Sequence, residues 1–421
     1  MKLTQQTSLN QWLDHLLELH PTEIDMGLTR VKEVAKRLNL GDLSPSTVIT
    51  VAGTNGKGST CAMLESILRQ HQLTVGVYSS PHMLRYNERV RINGVDATDQ
   101  ALVDAFCAID EAREQISLTF FEYATLAGLY LFKVAKLDVV LLEVGLGGRL
   151  DATNIIDADI AAITSIDLDH QEYLGDTREL VGREKAGVFR PNTYAIVGEP
   201  NLPQSVVEYS QAIQAHLCAV GQQFNYQVAD DTWEFSGQHV KFTELPKPSL
   251  PIANAATALA VLEQLWPDLP IATVKQGLEK ASLAGRLESI SQAPKVLLDV
   301  AHNPHAARYL ASQLQQYQHK RVFAICGMLK DKDCHSVLGI MSEVVDHWYL
   351  TDLACPRSAK ASELQALLAS SHVASSQVFP NVEQAWDSLT ELLNKDDVVI
   401  IFGSFYTVAE FKALKNQFVQ S

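Results

Sequence analysis

The feature that most constrains this chain is a strand that runs directly into a glycine-rich turn and then a helix. Thr47-Val48-Ile49-Thr50-Val51 is apolar and β-branched, Gly53-Thr54-Asn55-Gly56-Lys57-Gly58-Ser59 follows, and Leu64, Ile67 and Leu68 then recur at helical spacing. Glycines in such a turn let backbone N–H groups close around phosphate oxygens, and the helix N-terminus adds a favourable dipole. Lys57 can reach terminal phosphates as a point charge. The turn departs from the common P-loop: position 51 is Val rather than Gly, and Gly58 follows the lysine where Ser or Thr is usual. A βα turn without a ligand is the plainer reading of a loose glycine match. The coincidence of strand, turn and helix predicts nucleotide binding.

The same alternation continues. Val75-Gly76-Val77-Tyr78 is a short strand, and residues 138–144 form an almost continuous apolar run that suits a central parallel strand covered on both faces. Residues 160–166 and 194–197 are further strands, with helical segments between them. This pattern predicts an α/β fold with a P-loop-type doubly wound, mostly parallel sheet. Ahead of it, Ser8 and Gln11 read as a capping box for a helix with Trp12, Leu13, Leu16 and Leu17 on its apolar face. A second helix is expected over 29–38.

From 224 to 242 polar and apolar residues alternate around Gly237, and an antiparallel hairpin at the edge of the sheet is expected there. An alanine-rich helix follows over 253–265. Strands at 295–300, 321–326, 347–350 and 398–402, with helices at 306–316 and 382–393, predict a second, smaller Rossmann-like α/β domain. A chain of 421 residues exceeds what one hydrophobic core usually spans. The division is expected near Gly285, giving domains 1–285 and 286–421.

Composition narrows the function. The formal net charge of -15 makes the chain a poor non-specific binder of nucleic acid or anionic membrane, so neither is expected as a partner. An anionic substrate must then be held by local basic groups. No apolar run approaches the length of a membrane span, and the first residues lack a basic start followed by an apolar stretch, which predicts a cytoplasmic protein. None of the six cysteines forms a C-x-x-C pair, which argues against a zinc site and for buried reduced thiols.

In an open parallel sheet, ligands sit beyond the carboxyl ends of the strands. There Ser79-Ser80-Pro81-His82 follows one strand, Glu143 ends the most apolar one, and Asp167, Asp169 and His170 follow another. A hydroxyl, a carboxylate and an imidazole could converge near the phosphate loop and form a Mg²⁺ shell with waters and phosphate oxygens, and the imidazole would also suit Mn²⁺. A strand-end carboxylate that caps a loop is the plainer reading of Glu143. In Gly145-Leu146-Gly147-Gly148 a flexible turn is the plainer reading, and close approach of substrate to backbone the sharper one. Lys185, in a segment of mixed polarity, reads by itself as part of a solvated helix face.

Together these segments resemble the dihydrofolate synthase/folylpolyglutamate synthase family of the Mur ligase superfamily. The resemblance spans nearly the whole chain. It is carried by the segment from Val51 to Ser59, by Ser79-Ser80-Pro81-His82, Phe120-Phe121-Glu122, Leu142 through Asn154, Asp169-His170 and Arg183-Glu184-Lys185-Ala186-Gly187. Asn254-Ala255-Ala256-Thr257-Ala258, Gly285-Arg286 and Asp299-Val300-Ala301-His302-Asn303-Pro304 complete it. The short phosphate loop is the form this family uses. One departure is Gln171-Glu172-Tyr173 after His170, where relatives often have Thr and Trp or Tyr.

The resemblance implies ATP and one or two Mg²⁺ as cofactors, with Mn²⁺ as a possible substitute. It implies metal ligation by Ser80, Glu143, His170 and Lys185, the last as a carbamate, an anion with two oxygens. It further implies phosphate and nucleotide contacts from Thr54, Asn55, Gly56, Lys57, Gly58, Ser59, Asn254, Arg286 and Asp299. The pterin-side pocket would draw on Ile24, Asp25, Met26, Thr119, Phe120, Phe121, Glu122, Leu150, Asp151 and Ala152. Lys57, Lys185 and His302 are the implied catalytic groups, and a monomer the implied state.

Amide formation in water is uphill, and ATP drives it by converting the carboxylate to an acyl phosphate. The implied reaction starts from dihydropteroate or a folate carboxylate, with L-glutamate as the attacking amine. The smaller domain would bring glutamate and close over ATP, which keeps water from the acyl phosphate. The rival readings are folylpolyglutamate synthase activity alone, another Mur-type ligase acting on a muramyl precursor, and a nucleotide-binding scaffold with no ligase activity.

Overall fold

The computed structural model describes residues 3–22, 24–369 and 375–419. The chain divides into two compact units, Met1–Ala281 and Ser282–Ser421. The first is built on eight strands: β1 (Thr47–Ala52), β2 (Val75–Tyr78), β3 (Val90–Ile92), β4 (Val95–Asp96), β5 (Val139–Glu143), β6 (Ile160–Ile163), β7 (Tyr194–Val197) and β8 (His216–Ala219). Their spatial order is β4-β3-β2-β5-β1-β6-β7-β8. From β2 to β8 the pairing is parallel, and β3 and β4 add an antiparallel edge. The expected mostly parallel α/β sheet is therefore present.

The sequence explains the middle of this sheet. β1 and β5 are runs of branched aliphatic residues with no solvent-facing side, and Ile49, Val51, Val139, Val140, Leu141 and Leu142 are fully buried. Helices cover both faces, as parallel crossovers require. Ser8 caps the helix Leu9–Glu18 through the expected box with Gln11, which fixes Trp12 and Leu16 in the same core as Phe106 and Tyr123. The six cysteines are free thiols, but only Cys61, Cys218 and Cys326 are buried; Cys107, Cys334 and Cys355 are half-buried.

The expected hairpin at 224–242 is corrected. β9 (Asn225–Val228), β10 (Thr232–Ser236) and β11 (Lys241–Pro246) form a separate three-stranded antiparallel sheet, and β8 is the edge of the large one. The alternation was real: Trp233 and Phe235 are buried, while the residues between and beside them are not. That apolar face is covered from within the unit, beside the helices Ile252–Leu265 and Ile271–Lys280.

The second unit carries β12 (Glu288–Gln292), β13 (Lys295–Leu298), β14 (Val322–Cys326), β15 (His347–Thr351), β16 (Ser375–Phe379) and β17 (Val398–Phe402) in the order β12-β13-β17-β14-β15-β16. Only β12 runs antiparallel. Its core is Leu297, Ala324, Trp348, Ile400 and Phe402 with the inward faces of its helices.

Ile49 sits at the centre of β1, paired to both neighbours and fully buried. Ile49→Ala is expected to cost about 2–5 kcal/mol of stability, read as a lower urea midpoint at unchanged slope. A shift below about 1 kcal/mol would show that β1 is not a packed central strand.

Candidate functional site

Parallel pairing puts the carboxyl ends of five adjacent strands, β2-β5-β1-β6-β7, along one edge of the sheet. Ser80 follows β2, Glu143 ends β5, the phosphate loop follows β1 and His170 follows β6. Glu143 is in register with Val51, two residues before Gly53. The fold thus assembles four segments that lie far apart in the chain.

The phosphate loop is pinned from below. Thr54 N–H donates to the Ser165 carbonyl (2.9 Å) and Asn55 N–H to Ser165 Oγ (3.0 Å). Thr54 Oγ1 donates to the Asp167 carbonyl and accepts from the Asp167 N–H, each at 3.0 Å. Gly56, at φ 89°, starts the helix Lys57–Gln70 and no side chain caps it. Its left-handed φ favours glycine, and a Cβ here would lie 2.5 Å from Asn254 Oδ1 and force that side chain to shift. The first N–H groups of a helix have no intrahelical acceptor, and these have no capping side chain. Lys57 Nζ donates to the Gly53 carbonyl at 3.0 Å. An uncapped helix start with a lysine at its mouth fits a phosphate chain.

Glu143 is only 6% exposed. Its Oε2 accepts from the Ser80 N–H at 3.4 Å, which holds Ser80 beside the carboxylate. His170 has left-handed backbone geometry (φ 49°, ψ 45°), and its Nε2 stands 4.0 Å from Asp169 Oδ1. Among the described residues no group of three or more His, Cys, Asp or Glu side chains is arranged to hold a metal. The sequence-derived set contributes only Glu143 and His170 of those types. A carboxylate, a hydroxyl and one imidazole fit Mg²⁺ or Mn²⁺ when phosphate oxygens and water complete the shell.

Lys185 corrects the reading of its surroundings as a solvated face. It is 3% exposed, on the inward side of the helix Arg178–Ala186 with Val181, Gly182 and Ala186. The glycine turn makes this possible: a Cβ on Gly148 would lie 2.8 Å from the Lys185 carbonyl. The close approach at Gly148 is therefore to the chain's own backbone. Burial disfavours the ammonium, Lys57 adds repulsion, and Asp169 and Asp151 oppose them only in part, so the pKa falls from 10.5 to about 7.

A cavity of about 340 Å³ lies beside this edge. Ile24, Asp25, Met26, Thr119, Phe120, Phe121, Glu122, Leu150, Asp151 and Ala152 all line it, and Ser80 and His170 stand in its wall. Glu122 is buried, closes a capping box with Thr119 and pairs with Arg30, which also pairs with Asp25. Asp151 organises the turn above the cavity. Its Oδ2 accepts from Gly145 and Leu146 N–H at 3.0 and 2.9 Å, and its Oδ1 from Thr153 N–H at 3.0 Å and Thr153 Oγ1 at 2.7 Å. Burial nonetheless pushes its carboxyl pKa up.

Sequence reasoning missed Arg89. It lines the same cavity, is largely buried, donates Nε to His82 Nδ1 at 2.9 Å and lies over the rings of Tyr86 and Phe120. In the sequence it is one charge within Asn87-Glu88-Arg89, and no local pattern marks it; its burial follows from tertiary packing.

In the second unit, Arg286 stacks on Phe405. Asp299 is buried, which raises its pKa, and accepts from Leu287 and Ala301 N–H at 2.9 and 2.8 Å. His302 Nδ1 lies 2.8 Å from the Val300 carbonyl. A carbonyl can only accept, so Nδ1 carries the proton.

This architecture is that of a Mur-type ligase. The chain matches the Mur ligase middle domain over residues 51–261 and the Mur ligase glutamate ligase domain over 285–405. It is 49% identical over 403 residues to the dihydrofolate synthase/folylpolyglutamate synthase of Escherichia coli, covering 95% of this chain and 94% of that protein. The structure of E. coli FolC in complex with DHPP and ADP is 46% identical with a TM-score of 0.96, over 99% of this chain and 100% of that one. The Yersinia pestis bifunctional folylpolyglutamate synthase/dihydrofolate synthase with Mn, AMPPNP and L-glutamate bound is 48% identical with a TM-score of 0.93, over 99% and 100%. The chain belongs to the dihydrofolate synthase/folylpolyglutamate synthase family of Mur ligases.

The ionisation of Lys185 is directly measurable. With lysines labelled at ¹³Cε, in carbonate-free buffer, one resonance is expected to titrate near pH 7 and to vanish in Lys185→Met. Removing the neighbouring charge with Lys57→Met should move that titration to higher pH. A Lys185 resonance titrating near 10.5 contradicts the burial.

Proposed function

We propose that the protein is an ATP-dependent ligase that joins L-glutamate to dihydropteroate and to tetrahydrofolates through an acyl phosphate. The observation that carries this reading is the cavity: its aromatic and apolar walls suit a flat heteroaromatic acid, and Ser80 and His170 stand in its wall. The carboxylate of an acid held there is assigned to the Ser80 and His170 end of the cavity. Mg²⁺, when bound, neutralises charge on the transferring phosphoryl group.

The chain's own residues do the rest. Lys57 and the N–H groups after Gly56 hold the terminal phosphates and spread the charge that develops in line. Ser80, Glu143 and His170 would hold the metal. Lys185, partly neutral near pH 7, is available to add CO₂ through its free amine with release of one proton; as a carbamate it would offer two oxygens to a second metal. Thr54, Asn55, Gly58, Ser59, Asn254, Arg286 and Asp299 are assigned to the nucleotide. Residues 286–421 are assigned to glutamate and to closure over ATP, which excludes water from the acyl phosphate. His302 is assigned the proton that the glutamate ammonium must lose before it attacks. No helix among the described residues is long and apolar enough to cross a membrane, and the free thiols fit a reducing compartment such as the cytoplasm.

The deciding experiment supplies ATP, Mg²⁺ and L-glutamate with dihydropteroate or tetrahydrofolate in separate reactions, and follows ADP release and product mass. Turnover with both acids, each product heavier by one glutamate residue, is the expected result. Turnover with tetrahydrofolate alone reduces the assignment to a folylpolyglutamate synthase, and no glutamate-dependent ADP release with either acid refutes it. Lys57→Ala is expected to lower kcat by about 10²–10³-fold.

A further inference from the structure

The loops at the strand ends are joined by an ion pair that is not among the candidate ligands. Glu199 follows β7 and is 7% exposed. Its Oε2 accepts from the Ile166 N–H at 3.0 Å; its Oε1 accepts from the Asn201 N–H at 3.0 Å and from Arg178 at 2.9 Å. Arg178 is the first residue of the helix Arg178–Ala186. Its Nε donates to the Ile166 carbonyl at 3.0 Å, and a terminal nitrogen donates to the Asn201 carbonyl at 2.9 Å.

One carboxylate–guanidinium pair therefore takes both backbone polar groups of Ile166, three residues past the end of β6. The next residue, Asp167, exchanges two hydrogen bonds with Thr54 of the phosphate loop. Three residues further on stands His170, in left-handed geometry. Along the helix that Arg178 begins, Lys185 lies about two turns away on the same face. The pair thus ties the start of the Lys185 helix to the His170 segment, which itself bonds the phosphate loop through Asp167.

We infer that Arg178 and Glu199 are positioning residues: they lock the backbone of 166–170 against the phosphate loop and the Lys185 helix, and so set the reach of His170 toward the metal. The geometry requires a planar fork. Arg178 serves the Ile166 carbonyl, the Asn201 carbonyl and Glu199 at once, which the single ammonium of a lysine cannot do. As a partly exposed ion pair it is a weak source of stability in itself, and its effect lies in orientation. The inference rests on the proposed metal role of His170.

The test uses the full chain as Arg178→Ala, Arg178→Lys, Glu199→Gln and the Arg178→Ala/Glu199→Gln double variant, with His170→Ala as reference. Two quantities are read: amide hydrogen exchange of peptides covering 164–170, and Mn²⁺ affinity in the presence of a non-hydrolysable ATP analogue. Exchange is expected to accelerate over 166–170 and not in β1 or β5. Mn²⁺ affinity should fall about tenfold or more, and the KM for Mg²⁺ should rise more than kcat falls. Arg178→Lys should rescue little, and the double variant should bind Mn²⁺ no more weakly than the worse single one. Should Arg178→Ala not fold, Arg178→Lys carries the same two readings.

Mn²⁺ affinity within about twofold of the parent in the folded variants overturns the inference, whether or not exchange accelerates. If His170→Ala leaves Mn²⁺ affinity unchanged, it is the metal assignment of His170 that fails, and this inference with it. A normal loss in His170→Ala with no effect of the pair's variants refutes the positioning role alone.

Discussion

The site depends on the seam between the phosphate loop and the segment that follows β6. Neither segment is a regular element. Each leaves strand pairing at the sheet edge, and each needs partners for its backbone N–H and C=O groups. They supply these to one another: Thr54 and Asn55 bond to Ser165 and Asp167, and Thr164 Oγ1 donates to the Asn55 carbonyl at 2.6 Å. This seam fixes the distance between the uncapped helix start at Lys57 and the segment carrying His170. The sheet edge by itself would leave both segments loose.

Burial then sets the chemistry. The whole chain is acidic, yet the edge of the sheet gathers Lys57 and Lys185 close enough for one to lower the pKa of the other. Glu143 and Asp151 are removed from water nearby, and Asp151 keeps four hydrogen-bond donors around its carboxylate. A buried carboxylate with such partners can hold a glycine-rich turn in one shape. The turn's glycines in turn admit the helix that carries Lys185. The shifts of Lys185 and Asp151 thus trace first to burial, which packing at this turn imposes.

Much of this was legible in the sequence where the signal was local. The strand–turn–helix around Gly53 and Lys57 and the apolar run ending at Glu143 announce a parallel sheet with polar groups at its carboxyl edge, and such an edge is where ligands bind. The resemblance to a family added residues that no local rule singles out, Lys185 above all. Its neighbours are charged, and only the approach of Gly148 and the inward turn of its helix bury it. The segment 224–242 shows the complementary failure. Alternation correctly marked strands, but period-two patterning does not say which sheet a strand joins. The Arg178–Glu199 pair was invisible for a third reason: it joins residues on different elements, and its partners are backbone groups.

The central claim is that this fold activates a carboxylate by phosphorylation. It is tested most directly with dihydropteroate labelled with ¹⁸O in both carboxylate oxygens, incubated with ATP, Mg²⁺ and L-glutamate, by mass analysis of phosphate and product. The account predicts one ¹⁸O in the inorganic phosphate and one in the new amide for each dihydropteroate converted; glutamates added after the first release unlabelled phosphate. Amide formation with unlabelled phosphate would contradict it, because no acyl phosphate would then lie on the path.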